Sequence, residues 1–385
     1  MPRIESVTMI GPVVWGSVWG HGPEFARYLS RRAKLRYYNP VVPVGASAPS
    51  FAETGAYPEL ERVEVIRRTS RFRPGILYGL AMEWQNLLAV AKSNPDCLVT
   101  YYPLGSVLAL IWCRLKGKKS LFVFADFPEI LRHRLAQFLA RRFFLAATAW
   151  LATTGCVATS CLLFEDIQKF TPKSILVSNG INLSSIPGRP EPGRIDDSSK
   201  WRSTFTAGFV GYFGKWVDFE PVFQAARLCP MINFLIIGEG PNRVELVTRA
   251  HDLKNIDFTG PLPHDEVFRR IAGMDVCLIP FEVNQTTDRV SPVKLFEYWA
   301  MGKPVLATAC DELRRTAETA PRAISFFSSG EDLARALTNF FQDRQALHEA
   351  SEEALRVVDD YDWEKLGERI LRFIKGDPSS LPGEQ

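Results

Sequence analysis

Apolar runs of strand length alternate with longer stretches of helical period along the whole chain. VTMIGPVV, CLVTYY, LFVFA, CVATS and ILVSN punctuate the first half; TAGFVGYFG, NFLIIGEG, IDFTG, DVCLIPF and PVLATA punctuate the second. Near-continuous apolar strands separated by helices predict parallel sheets covered on both faces. Between the two series lies IPGRPEPGRIDDSSKWRS, residues 186–203, rich in Pro, Gly, Ser and charge and without an apolar period. This reads as a linker. The pattern predicts an α/β chain with an N-terminal Rossmann-like domain over 1–185 and a C-terminal one over 204–360. Two such doubly wound domains are expected to face a central cleft that holds the binding site.

One stretch invites a different reading. Residues 143–164, FFLAATAWLATTGCVATSCLLF, carry no charge over 22 positions, long enough to span a bilayer. Five Thr or Ser and a mid-run Gly155 fit better with a helix end, a glycine turn and the buried strand CVATS. In the helix before it Leu131, Leu135 and Phe138 share one face, and Arg134, Gln137 and Arg141 another. With Arg132 and Arg142 nearby, that face suits either an anionic membrane surface or simple solvation over a packed core.

A length of 385 residues exceeds one comfortable core and agrees with two domains of about 150 to 200 residues. Hydrophobic content of 46% and charged content of 23% exclude a disordered chain. Seven cysteines form no CxxC pair and sit mostly in apolar runs, as inert thiols of a reduced compartment do. The N-terminal apolar run is too short, and Glu5 too early, for a signal peptide; a cytoplasmic location is expected. The formal charge of +3 hides an asymmetry: residues 1–185 hold 22 Lys+Arg against 12 Asp+Glu, the rest 24 against 31. A basic first half suggests an anionic acceptor or surface there, or only a solvated face. No basic-aromatic RNA-recognition module is present, so nucleic acid is not expected.

The chemistry concentrates in SPVKLFEYWAMGKPVLA, residues 291–307. A helix start offers free N–H groups and the positive end of its dipole to a phosphate. Pro292 sits where its missing N–H costs nothing, and Lys294 adds a full charge. Glu297, three residues on, projects from the same face and can accept two ribose hydroxyls. These residues form either a nucleotide clamp or an exposed Lys-Glu pair.

The same segment resembles the donor-binding segment of GT-B glycosyltransferases of the retaining family-4 type, in which Pro-x-Lys-x-x-Glu followed by Ala-x-Gly-x-Pro-Val grips a nucleoside diphosphate sugar. FTAGFVGYFGKWVDFEPV is similar to that family's glycine loop at the donor phosphates. NFLIIGEGP and NIDFTGPLPHDEV are similar to its next two strands. CVATSCLLFEDIQKF and SILVSNGIN resemble the close of its N-domain, and YDWEKLGERILRFI its terminal helix, here 361–377, crossing back to that domain. The resemblance is continuous over about residues 155 to 377. It implies Glu297 on the donor ribose, and Lys294 with Ser291, Pro292 and Val293 on the diphosphate. Gly211, Phe213, Gly214 and Lys215 would form the opposite lip; Gly238, Glu239 and Pro261 would lie near base or sugar. Where many relatives carry a second acid eight positions before the glutamate, this chain has Arg289, with Asp288 beside it.

For a catalytic group the N-terminal domain offers Asp126, just past the strand LFVFA, as general base, with helix capping as its other reading. Related inverting GT-B enzymes place an aspartate there. His21 follows a Gly-rich turn and would contact acceptor or leaving group, unless it is incidental; Glu129 and Arg132 are further candidates. The chain contains no HExxH and no clustered His/Cys set, so no metal is expected, and Lys294 with a helix N-terminus would carry the leaving-group charge. No GxGxxG with a following acid points to a nicotinamide cofactor. The expectation is a metal-independent glycosyltransferase moving a sugar from a nucleotide-sugar, taken as a UDP-sugar, to a glycan acceptor. A lipid-diphosphate-linked acceptor at the membrane in surface-polysaccharide synthesis would suit the charge split. A non-hydrolysing nucleotide-sugar epimerase, or a non-catalytic nucleotide-sugar-binding subunit, would share the clamp.

Overall fold

The computed structural model describes residues 4–13, 20–43, 63–70, 72, 76–101, 105–125, 134–193 and 204–377. The chain divides into two units, Met1–Gly180 with Trp363–Gln385, and Ile181–Asp362.

The first unit runs β1 (Ser6–Ile10), α1 (His21–Ser30), β2 (Lys34–Pro43), β3 (Val63–Ser70), α2 (Ile76–Ser93), β4 (Cys97–Thr100), α3 (Val107–Leu115), β5 (Lys119–Phe124), α4 (Arg134–Leu151), β6 (Gly155–Ala158), α5 (Cys161–Gln168) and β7 (Ser174–Leu176). Its strands pair in parallel in the order β3-β2-β1-β4-β5-β6-β7. β4 and β6 are buried at every position, so both faces demand apolar side chains and no two-residue alternation survives. β2 and β3 escape a purely apolar search. β2 carries Lys34, Arg36 and Pro40, and β3 on the sheet edge is buried only at its two ends, Val63 and Ser70. The uncharged stretch after Arg142 resolves as expected into the end of α4, a turn at Gly155 (φ +133°) and β6. Among the described residues no helix is long and apolar enough to cross a membrane.

The second unit runs β8 (Phe205–Tyr212), α6 (Glu220–Leu228), β9 (Ile232–Glu239), α7 (Arg243–Arg249), β10 (Ile256–Gly260), α8 (His264–Ala272), β11 (Val276–Ile279), α9 (Val293–Ala300), β12 (Val305–Thr308), α10 (Asp311–Ala317), β13 (Ile324–Phe327), α11 (Gly330–Gln342) and α12 (Arg344–Val357). The parallel order is β10-β9-β8-β11-β12-β13. The chain builds outward from β8 in one direction and restarts at β11 in the other, so β8 and β11 flank the switch point where such sheets bind ligands. Side-chain caps fix helix starts: Ser329 accepts from the Asp332 N–H at 3.2 Å, and Asp343 from that of Ala346 at 2.9 Å.

The chain then returns to the first unit as α13 (Trp363–Lys375). Trp363, Leu366, Ile370 and Ile374 are buried along one stripe, against Phe25 and Leu29 of α1. At the edge of that contact Tyr28 donates to Glu368 at 2.7 Å, and Glu364 takes Arg31 and Arg32 at 2.6 and 2.9 Å. Gly367 is the position that lets the two helices meet, since a Cβ there would lie 2.4 Å from the Tyr28 ring. Alanine in mid-helix ordinarily gains about 1 kcal/mol over glycine, whereas overpacking costs about 1–3 kcal/mol. Gly367→Ala is therefore expected to lower the thermal midpoint; a rise, as helix propensity alone predicts, would show that α13 does not depend on this contact.

Candidate functional site

The site assembles at the switch point of the second unit. Near the end of β8, Gly211 pairs in register with Gly238 of β9. Both have φ near +145°, in the region that favours glycine. A Cβ on Gly238 would lie 1.8 Å from the Gly211 carbonyl oxygen, and one on Gly240 would meet Phe213. Two strand ends are thereby drawn close enough for the Phe213 N–H to donate to the Glu239 carbonyl at 2.8 Å. The loop after β8 is zipped to the loop after β11. Asp218 N–H donates to Pro280 at 2.8 Å, Glu282 N–H to Trp216 at 2.9 Å, and Val217 bridges Phe281.

Helix α9 follows that second loop. Pro292 takes its cap position and supplies no side-chain cap to the first turn. Its apolar face is buried through Leu295, Phe296, Tyr298 and Trp299. The Val210 N–H donates to the Tyr298 hydroxyl at 2.8 Å, fixing α9 against β8. Lys294 therefore reaches across to the end of β8, where a Cβ on Gly211 would lie 2.6 Å from its Nζ. The ammonium lies 4.1 Å from the centre of the Phe209 ring and 5.5 Å from that of Phe281, a cation-π floor. Among the described residues no carboxylate comes within ion-pairing distance of it. Burial pulls the Lys294 pKa down to about 8, with the Glu297 charge opposing. Burial pushes Glu297 up to about 7, with Lys294 opposing. Two part-buried opposite charges on one helix face, with no ion pair between them or to another group among the described residues, can receive an anion and hydroxyl groups.

The structure brings together Gly211, Phe213, Gly214, Gly238, Glu239, Lys294 and, one turn along α9, Glu297. Phe213 contributes backbone, its ring being core among Phe209, Phe219 and Phe258. Lys215 is exposed on the turn, Pro261 is exposed one strand further out, and Ser291 is buried at the mouth of α9. Asp288 accepts from the Asp311 N–H at 3.2 Å. Phe209 and Phe281 were not anticipated; an aromatic two residues before the loop glycine was the available signal. In the first unit His21 is the first residue of α1, buried, with Nδ1 3.0 Å from the Tyr101 hydroxyl and its ring edge-on to Trp363. Burial drives its pKa down to about 3, so it is neutral at physiological pH. Asp126, Glu129 and Arg132 lie outside the described residues, as do Leu131 and the side chains of Arg134, Leu135, Gln137, Phe138 and Arg141.

Comparison with known proteins places this architecture in a class. Residues 206–343 match the model of the family Glycosyl transferases group 1, and the fold is GT-B. The second unit, with its switch-point site, is thus a Glycosyl transferases group 1 domain. A 108-residue stretch is 32% identical to TuaH of Bacillus subtilis (strain 168), named for a glycosyltransferase of teichuronic acid biosynthesis. That match covers 28% of this chain and 27% of TuaH, so the chain spans about a quarter of the curated relative it matches. Sucrose-phosphate synthase from Thermosynechococcus elongatus superposes with a TM-score of 0.69 at 15% identity, over 97% of this chain and 98% of that one. HepE of Anabaena, in complex with UDP-glucose, gives 0.67 at 13%, over 97% and 100%.

The two displaced pKa values set opposite pH slopes. The unfolded chain holds more protons than the folded one between about 8 and 10.5 because of Lys294, so stability rises there. The folded chain holds more between 4.5 and about 7 because of Glu297, so stability falls there. The pair's contribution is least favourable between these windows. The double variant Lys294→Met, Glu297→Gln is expected to flatten the pH profile of the thermal midpoint. An unchanged profile would place both groups in solvent.

Proposed function

We propose that the protein is a glycosyltransferase that takes a UDP-sugar as donor and works without a metal. The observation that carries this reading is the part-buried Lys294, with no carboxylate at ion-pairing distance among the described residues, beside the Gly211 loop and the start of α9, which has no side-chain cap. A nucleoside diphosphate placed there would meet a full positive charge, a helix N-terminus and close-approaching glycine backbone. As the bond between anomeric carbon and β-phosphate oxygen breaks, negative charge grows on the departing diphosphate, and Lys294 with the α9 dipole stabilises it. That supply of fixed positive charge is the reason for assigning no metal. Glu297 accepts the ribose hydroxyls. The HepE complex with UDP-glucose supports uridine as the base. The acceptor we assign is a glycan carried on a lipid diphosphate, in synthesis of a cell-surface polysaccharide, the kind of pathway for which TuaH is named. Asp126 is assigned as the base that takes the acceptor hydroxyl's proton.

A thermal-shift screen against UDP, GDP, ADP, TDP and their common sugars in EDTA tests the donor. UDP and one UDP-sugar are expected to raise the midpoint, and Glu297→Ala to abolish the rise. No shift with any nucleotide would remove the reading. Asp126→Asn is expected to leave that shift in place while transfer falls by about 10² to 10⁴-fold; unchanged transfer would return Asp126 to a capping role.

A further inference from the structure

Helix α2 carries an apolar stripe on the side that faces away from its sheet. Leu77, Leu80, Trp84 and Leu88 are 62%, 62%, 58% and 51% exposed. At 100° per residue they fall within an arc of about 80° and extend about 16 Å along the helix. The opposite face of α2 packs inward through Asn86, Ala89 and Val90, so the stripe is not the core face misplaced. A lone exposed leucine needs no explanation; four large apolar side chains in one line on a surface helix do.

The stripe continues across neighbouring helices. α2 packs on α3 and α3 on α4. Leu115 closes α3 at 81% exposure, and Phe143 and Trp150, seven residues apart on α4, are 69% and 65% exposed. The Arg114 guanidinium lies over the Trp150 ring at 4.5 Å. The charges on this layer have one sign. Among the described side chains of the three helices, Lys92, Arg114 and Arg142 stand against a single acid, Glu83. That acid is turned inward: its carboxylate accepts the N–H groups of Gly105, Val107 and Leu108 and so caps α3.

The geometry points to this layer as a docking surface for an anionic lipid bilayer, lying in the interface with the α2 stripe inserted. Leucine and tryptophan side chains supply the apolar contact, tryptophan being suited to the boundary between headgroups and chains. Lysines and arginines around them bind anionic headgroups, and no helix needs to cross. A protein partner is less well matched, since a stable interface core is depleted in charge and this layer mixes apolar side chains with cations. The assignment is independent of the donor site, which lies in the other unit.

Flotation of the purified full chain with vesicles tests it. The chain is expected to float with phosphatidylglycerol-containing vesicles, more weakly as salt is raised, and poorly with phosphatidylcholine alone. The double variant Leu80→Ser, Trp84→Ser is expected to bind at least about 10²-fold more weakly while keeping its thermal shift with UDP. Brominated phosphatidylglycerol should quench tryptophan emission of the wild type more than that of Trp84→Phe. Absence of flotation from both vesicle types, or equal flotation of the double variant, would overturn the assignment. So would a wild-type dimer in sedimentation that the double variant dissociates without any vesicle binding, which would make a second copy the occupant.

Discussion

A lysine ammonium held against two aromatic rings, with no carboxylate at ion-pairing distance among the described residues, is the constraint around which the second unit is built. Lowering its pKa from 10.5 to about 8 costs on the order of 3 kcal/mol at neutral pH, a sizeable part of a domain's margin. Packing would be better served by an apolar side chain at that position. The surroundings nevertheless hold Lys294 in place from several directions. Tyr298 anchors α9 to β8, the loops after β8 and β11 are zipped together, and Gly211 supplies the gap into which Nζ reaches. A site that tolerates such a cost in the free state is suited to a ligand that brings the missing negative charge.

The glycines follow from the same requirement. Gly211 and Gly238 stand opposite each other in register, and either would clash if it carried a side chain: the first with the lysine, the second with the first's carbonyl. The C-terminal ends of these inner strands, with α9, thus deliver close backbone, a cation and a carboxylate to a single spot. The first unit is arranged differently. Its titratable candidate at the start of α1 is buried among aromatic rings and electrically quiet, and what its surface offers is an apolar and basic helical layer.

Much of this was legible in the sequence because the deciding signals are local. Fully buried strands such as Cys97–Thr100 and Val276–Ile279 announce themselves as apolar runs, and Ser-Pro-Val-Lys before an apolar helix marks a helix start. Strands that gave no such signal were those whose burial depends on neighbours. β2 is threaded with charge and proline, β3 sits on the edge, and β13 exposes Phe326. His21 was read as a loop residue because a glycine-rich turn precedes it. Its burial comes from Trp363, 342 positions further on, a contact that no local pattern encodes. The aromatic floor under Lys294 is equally non-local, since Phe209 arrives from β8 and Phe281 from the loop after β11. The α2 stripe was invisible for the converse reason: an apolar helical period predicts burial, and only the packed structure shows which face was left out.

Proton uptake on nucleotide binding tests the central claim most directly. Calorimetric titration of the chain with UDP near pH 9, in buffers of different ionisation enthalpy, reads the protons taken up per nucleotide bound. At that pH the free Lys294 is mostly neutral and Glu297 is ionised. A diphosphate beside Lys294 would raise its pKa, so uptake of a substantial fraction of one proton is predicted, and it should vanish in Lys294→Met. Nucleotide binding with no proton uptake, or with the same uptake in the variant, would mean that the charge waiting at the end of β8 is not what receives the diphosphate.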